Sequence, residues 1–206
     1  MGVRSTNPLQ SFVDDFFRSG TDGSGVPRNT AVASGGVKIT TSDYVYHIFL
    51  GNSGPNYAGT SISEETFAIS SGAITDAEIL VVGGGAGAGN DGAGGGGAGA
   101  VYHATGVTLP SSPIPIQIGE RGTGNTTSNA GDTTFGPVTA QGGGAGKDSS
   151  DGSDGGSGGG GGGPGSPSGG STTASPVSAF GATFTAYGND GASNPVGNDG
   201  SSIISI

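Results

Sequence analysis

The sequence contains no cysteine and no tryptophan, and only 11% of its residues are charged. Without cysteine, neither a disulfide framework nor a thiolate-bound metal site is available. The scarcity of charge argues against ordinary disorder, which combines low hydrophobicity with dense charge. No apolar run approaches the ~20 residues of a membrane-spanning helix, and the N-terminus lacks the apolar core of a signal peptide, so we expect no membrane insertion.

Residues suited to catalysis are also few. The chain has two histidines, His47 and His103, and each lies inside a predicted strand. The acidic residues are scattered, and no nucleophile motif is present. We therefore predict a non-enzymatic protein without metal or cofactor. Two structural histidines are the favoured interpretation, and a metal-binding or catalytic histidine pair is the alternative.

Glycine, in contrast, is abundant. It supplies 48 of the 206 residues, about three times its average share. Glycine loses more backbone freedom on ordering than any other residue, so an ordered state needs many hydrogen bonds between segments or a partner surface. Hydrophobic residues reach only 31%, which leaves a single copy with a small core. The composition favours an oligomer or a component of a larger assembly.

The net charge of −10 is unevenly distributed. Residues 1–40 carry four basic and three acidic side chains, whereas the remainder carries two basic and 13 acidic ones. A surface this acidic repels nucleic acid and anionic membranes, so we expect neither as a partner of the C-terminal part.

Residues 1–36 differ from the rest of the chain and are predicted to form an N-terminal anchor and tether. Residues 10–18 (QSFVDDFFR) form the one credible helix, with Ser11 as its N-cap. An apolar face of this helix contains Phe12, Val13, Phe16 and Phe17. A helix this short is marginal in water unless that face docks. We predict that these four residues anchor the chain in a larger particle, with residues 19–36 as a tether; docking on the chain's own domain is the alternative.

Residues 37–206 are predicted to form an all-β domain, an antiparallel sandwich interrupted by glycine-rich arms. In residues 114–118, Ile114, Ile116 and Ile118 alternate and therefore share one face. Because Pro113 and Pro115 lack an N–H group, we expect this strand at a sheet edge or beside a bulge. The predicted strands are 44–50, 66–70, 78–82, 100–104, 114–118, 133–140, 180–187 and 202–206.

Three glycine-rich arms, residues 83–99, 142–170 and 188–200, leave the predicted strands and return to them. Asn-Gly and Asp-Gly pairs mark turns. The residues predicted at exposed arm tips are Asn90, Asp91, Asp190 and Asp199. Two interpretations of the longest arm remain open. It is either a flexible linker or a set of extended helices of the polyproline II type that bond laterally, within one chain or between three.

Other local patterns are weaker. Asp148, Asp151 and Asp154 lie in a glycine-serine setting; they resemble a calcium loop but lack its closing glutamate, which favours a solvated loop. The glycines after residue 82 lack the following helix that a dinucleotide site requires. Three tyrosines are candidates for sugar stacking in an adhesin, although packing on a sheet face is the simpler interpretation: Tyr57, Tyr102 and Tyr187.

The order of motifs over residues 44–146 is similar to that of a known family. A strand at 44–49 (YVYHIF) is followed by 77–87 (AEILVVGGGAG), a glycine arm and a Val-Tyr strand at 101–102. The pattern closes with 114–120 (IPIQIGE) and 131–146 (GDTTFGPVTAQGGGAG). This stretch resembles the glycine-rich β domains of phage virion proteins, especially tail fibres and appendages of phages of aquatic bacteria. The charged turn at 119–122 departs from that pattern.

The resemblance implies a structural or host-contacting part of a virion, often homotrimeric, whose partners are capsid, portal or tail proteins. From it we expect a subunit attached to the particle by its N-terminus, with the β domain on the particle surface. The alternatives are a host-binding adhesin that recognises surface polysaccharide or an outer-membrane protein, and a capsid decoration protein.

Overall fold

The computed structural model describes residues 31–41, 44–51, 63–90, 92–124 and 128–194. Within these ranges the chain forms strands and no helix. The predicted helix at 10–18 and the predicted strand at 202–206 lie outside the described residues. The strands are β1 (Val32–Ser34), β2 (Val37–Thr40), β3 (Val45–Ile48), β4 (Ser63–Ser71), β5 (Ile74–Val82), β6 (Val101–Leu109), β7 (Ile114–Ile118), β8 (Thr133–Phe135), β9 (Val138–Ala140), β10 (Val177–Ala179) and β11 (Ala182–Tyr187).

Two sheets form an antiparallel sandwich. The first has the order β1-β4-β7-β8-β9 and the second the order β10-β11-β6-β5. Every strand pair in them is antiparallel. The predicted all-β, antiparallel fold is therefore confirmed.

The core lies between these sheets and follows from period-2 alternation along the strands. In β7, Ile114 and Ile116 are buried and Ile118 packs against them, as the alternation predicts. Val107, Val138 and Phe184 are fully enclosed. The remaining members of the buried cluster are Phe67, Val81, Ala100, Tyr102, Ala104, Leu109 and Ala140.

The predicted edge position of β7 is wrong, because β7 lies between β4 and β8. Its proline is tolerated for a local reason. The Gly136 N–H donates to the Pro115 carbonyl at 2.9 Å, which shows that Pro115 directs its backbone polar groups toward β8. In an antiparallel strand the nitrogen and the carbonyl of one residue face the same side. The missing N–H therefore faces the point where β8 ends at Phe135 and a turn begins, so no ladder hydrogen bond is lost.

Two further predictions differ in detail from the structure. The single strand predicted at 133–140 is a hairpin, β8–β9, whose turn contains Gly136 at φ +54°. The short strands β1, β2 and β10 were not predicted. β1 lies within the range predicted as the tether and is hydrogen-bonded to β4.

The hairpin β2–β3 forms a separate two-stranded sheet. It packs on the first sheet through His47, whose ring meets the Phe67 ring edge-on at 5.1 Å, and through Phe49. His47 Nδ1 also lies 2.8 Å from the Gly35 carbonyl oxygen. These contacts fix one face of the hairpin against the sandwich.

Candidate functional site: the glycine bundle and its distal turns

The glycine-rich arms form an ordered bundle at one end of the sandwich. Segments leave the sandwich after β5, β7, β9 and β11, and most return to it. At about 3.1 Å per residue, a seven-residue segment extends about 20 Å. The segments of this glycine bundle are residues 83–89, 93–100, 119–124, 128–132, 141–147, 152–156, 157–163, 167–173 and 188–194.

The central segment, residues 141–147, shows how the bundle is held together. The N–H groups of Gly144 and Lys147 donate to the 157–163 segment, while those of Gly143 and Gly146 donate to the 83–89 segment. Its carbonyls at 141, 144 and 147 accept from the 93–100 segment. Donors and acceptors toward one neighbour thus recur every third residue, which is the period of a polyproline II helix. The lateral bonding proposed for the arms is therefore present, and it occurs within one chain.

Close packing explains why these positions are glycine. Residues 142–146 are all buried. A Cβ at Gly143 would overlap the Gly97 carbonyl oxygen, and one at Gly144 would overlap that of Ser153. Both obstacles are backbone atoms held by their own hydrogen bonds, so they have no freedom to move aside. Glycine is required here for the approach of neighbouring backbones.

Side-chain oxygens replace carbonyls where the central segment lacks a backbone partner. Asp132 Oδ1 accepts from the Gly142 N–H at 2.8 Å, and Asn129 Oδ1 accepts from the Ala145 N–H at 3.0 Å. The Asn129 amide also donates to the Asp154 carbonyl at 2.7 Å. The spacing of three between Asn129 and Asp132 equals the period of the bundle. The two side-chain oxygens therefore accept hydrogen bonds from buried N–H groups of the central segment that have no backbone carbonyl as a partner.

The aspartate series 148, 151 and 154 has the same role and the same spacing. Asp148 accepts from the Asn90 N–H at 2.7 Å. Asp151 and Asp154 accept from the N–H groups of Ser168 and Ser171, at 2.7 and 2.6 Å. The solvated-loop interpretation is thus incomplete, since Asp148 binds the turn at Asn90 while Asp151 and Asp154 both bind the 167–173 segment. Among the described residues, no three His, Cys, Asp or Glu side chains are grouped to hold a metal ion.

The turns at the far end of the bundle lie close together. The chain reverses between Asn90 and Ala93, where the Ala93 N–H donates to the Asn90 carbonyl. The Gly163 N–H donates to the Gly92 carbonyl, and the Asn194 amide donates to the Gly163 carbonyl at 3.2 Å. Asp148 joins residues 148–150 to the first turn. We call residues 90, 92–93, 148–150 and 163–166 the distal turns.

The residues predicted at arm tips are placed differently from one another. Asn90 is exposed in a distal turn. Asp190 is exposed but lies three residues after β11, near the sandwich, and its carboxylate accepts from the Thr172 N–H at 2.7 Å. Asp91 and Asp199 lie outside the described residues, as do all four predicted anchor residues, Phe12, Val13, Phe16 and Phe17. That the four apolar residues anchor the chain in a particle, and that the arm-tip residues contact a partner, both stay predictions.

The tyrosines and histidines have structural contacts. Tyr102 is 2% exposed, so the sugar-stacking interpretation is wrong for it. Its hydroxyl lies 3.1 Å from Gln141 Oε1 and 3.0 Å from the Ser175 carbonyl, joining β6 to the first residue of the central segment. Tyr187 is 55% exposed, and Tyr57 lies outside the described residues. His103 pairs with Glu78 at 2.8 Å on the second sheet, so it and His47 belong to different sheets.

Sequence reasoning missed Asn129, Asp132 and Asp190 as acceptors for backbone groups. For Asn129 and Asp132 the available signal was their spacing of three residues beside glycine runs, which matches the period of an extended three-residue helix; no such spacing marks Asp190. In the described part of the chain, no helix has the length and apolarity needed to cross a bilayer.

A family model described as Glycine-rich domain matches residues 56–204, and the chain therefore belongs to that family. The match includes the described glycine bundle and the strands from β4 onward. Neither the curated proteins nor the solved structures include a match to this chain.

Proposed function

We propose that this glycine-rich-domain protein is a non-enzymatic structural subunit of a phage particle, of the appendage or fibre type. Its N-terminal residues attach to capsid, portal or tail proteins, and its sandwich and glycine bundle lie on the particle surface. Several copies, in the proposal three, assemble together. The carrying observation is the glycine bundle, a body of extended segments at one end of a β sandwich.

Two physical properties support a role as a projecting element. The bundle is ordered by backbone hydrogen bonds and backbone packing, so it keeps its shape with few apolar side chains. It also ends in turns whose exposed residues include Asn90, Ser149 and Ser150, so its far end presents polar side chains to water. The assignment to a phage particle rests on the resemblance of residues 44–146 to the glycine-rich domains of phage virion proteins.

Deleting residues 1–20 is expected to abolish incorporation into particles while leaving the β domain folded. The deletion removes the apolar face formed by Phe12, Val13, Phe16 and Phe17, and all described strands begin after it. Purified particles are assayed for the protein by immunoblot, and cryo-electron microscopy of wild-type particles locates residues 1–36. Far-ultraviolet circular dichroism of the deleted protein serves as the folding control. Incorporation of the truncated protein would show that the anchor assignment is wrong.

An adhesin is the second candidate, and the gathering of the distal turns favours it. Turns from three separate parts of the chain meet at one end of the bundle, and their exposed residues include Asn90, Ser149 and Ser150. A rigid support under exposed loops is a common arrangement for recognition, because the loops lose little freedom on binding. The ligand would be a surface polysaccharide or an outer-membrane protein of the host.

For the adhesin, the purified protein is expected to bind host cells or their envelope extracts without any other virion protein. The double variant Ser149→Arg/Ser150→Arg changes exposed side chains in the distal turns and is expected to weaken binding by roughly tenfold or more. Thr105→Arg, on the exposed face of β6, is the matched control and should bind like the wild type. If the wild type does not bind, or both variants bind like it, the adhesin candidate fails.

A further inference from the structure

The hairpin β2–β3 has one face that nothing in the described chain covers. Its register pairs Val37 with Ile48 and Ile39 with Tyr46, which places these four side chains on one face. Tyr44 and Leu50 continue the alternation at the two ends of β3, and the Tyr44 and Tyr46 rings lie 6.0 Å apart. We call these six residues, Val37, Ile39, Tyr44, Tyr46, Ile48 and Leu50, the hairpin apolar face.

This face is large for an isolated surface patch. Its six side chains are between 37% and 63% exposed, and together they present several hundred Å² of mostly apolar surface. A two-stranded sheet is only marginally stable unless it packs on something. The opposite face contacts the sandwich through His47 and Phe49, while Val45 beside the hairpin turn is also exposed. None of the six side chains of the hairpin apolar face contacts the sandwich in the described part of the chain.

We propose that the hairpin apolar face is a self-association surface, occupied by the same face of another copy of this chain. Charge is the reason for choosing this occupant. The chain carries a net charge of −10, so contacts between most of its surfaces bring like charges together. All six side chains of the hairpin apolar face are neutral. Of the two charged residues in segment 31–51, Lys38 lies on the opposite face and Asp43 lies outside the described residues; the described acids belong to β4 and to later parts of the chain.

The composition of the face also suits self-contact. Aromatic and β-branched side chains pack well against one another, and the six side chains of this face are all uncharged. Its area is below the ~800 Å² that a stable interface buries on each partner. The affinity is therefore expected on the order of micromolar. Copies held side by side on a surface have a local concentration above this micromolar dissociation constant, so they would associate there. This contact pairs two copies in solution; it is separate from the assembly of three copies in the proposed function and does not rest on it.

The first test measures the mass of the full chain by sedimentation equilibrium over a range of concentrations. Because a contact between two identical faces pairs two copies, the mass of the wild type is expected to rise with concentration from 19.4 kDa toward twice that value. Ile39→Lys and Ile39→Glu place like charges at the contact, so each alone should remain monomeric. An equimolar mixture of the two should associate again, because opposite charges then meet. A wild type that stays monomeric, variants that associate like the wild type, or a mixture that stays monomeric overturns the proposal.

The second test uses the absence of cysteine from the chain. Tyr46→Cys introduces a single thiol on the hairpin apolar face, and mild oxidation is expected to convert most of the protein to a disulfide-linked dimer. Leu80→Cys is the matched control, since Leu80 is a 63% exposed apolar residue on the second sheet. Equal cross-linking of both variants, or none at position 46, would mean that the face meets something other than another copy. This test holds even if a charged variant at position 39 fails to fold.

Discussion

Replacing Gly143 by alanine is expected to disrupt the glycine bundle and lower the free energy of unfolding by at least about 3 kcal/mol. The added Cβ would overlap the Gly97 carbonyl oxygen, and the neighbouring backbone is not free to yield because the Gly97 N–H is bonded to the Gly144 carbonyl at 2.8 Å. Thermal and denaturant unfolding followed by circular dichroism measure the loss.

Gly95→Ala is the matched control for Gly143→Ala. Gly95 lies in the neighbouring 93–100 segment and is exposed, and a Cβ added to its backbone would have no atom within 4 Å. Its φ is not positive, so alanine adopts the same conformation and reduces the freedom of the unfolded chain. The variant should therefore stay within about 1 kcal/mol of the wild type. Equal effects at positions 95 and 143 would contradict the close packing of the central segment.

Inserting one glycine between Gly143 and Gly144 is expected to be nearly as damaging, by about 3 kcal/mol or more, although it hardly alters composition. In a helix of three residues per turn, one extra residue rotates every later donor by a third of a turn. The hydrogen bonds of Gly144, Ala145, Gly146 and Lys147 would then point at the wrong neighbours. The later residues could restore these hydrogen bonds only by sliding forward by one position, which would put Ala145 in the place of Gly146. That shift is blocked, because a Cβ at this place overlaps the Gly94 carbonyl oxygen.

The same insertion between Gly165 and Ser166 tests whether register or length matters. These residues lie in a distal turn, and a Cβ at Gly165 meets open space. Lengthening an exposed turn has only a small entropic effect, so stability should hardly change. Hydrogen exchange of the glycine amides provides a local readout for both insertions. If the two insertions behave alike, the arms act as linkers rather than as a bundle in three-residue register.

The bundle also explains how a chain so poor in hydrophobic residues is ordered. Each ordered residue loses roughly 1–2 kcal/mol of backbone conformational free energy, and glycine loses the most. Lateral hydrogen bonds in a water-poor interior, together with backbone packing, offset that loss. Because glycine has no side chain, its ordering costs no side-chain conformational entropy. The strands of the sandwich hold both ends of the glycine-rich stretches 83–100, 119–132 and 141–176, so the entropy lost in bringing those ends together is shared with β-sheet formation.

The strands were largely predictable because they depend on local alternation. The pattern of Ile114, Ile116 and Ile118 identified both the strand and its buried face. Alternation does not report which strands are neighbours, and for that reason the position of β7 was missed. Pro115 indicates only that one N–H is absent; whether a neighbour needed that N–H depends on where β8 ends.

The sequence by itself determined the all-β class, most of the longer strands and the presence of glycine arms, because period-2 hydrophobicity and glycine content are local properties. Only the tertiary structure decided that the arms form one bundle, that Asn129, Asp132 and the aspartates at 148, 151 and 154 are its acceptors, and that the hairpin apolar face stays uncovered. Glycine runs carry no side chains to specify partners. Their register is set by the strands at their ends and by the few side chains spaced to match a three-residue turn.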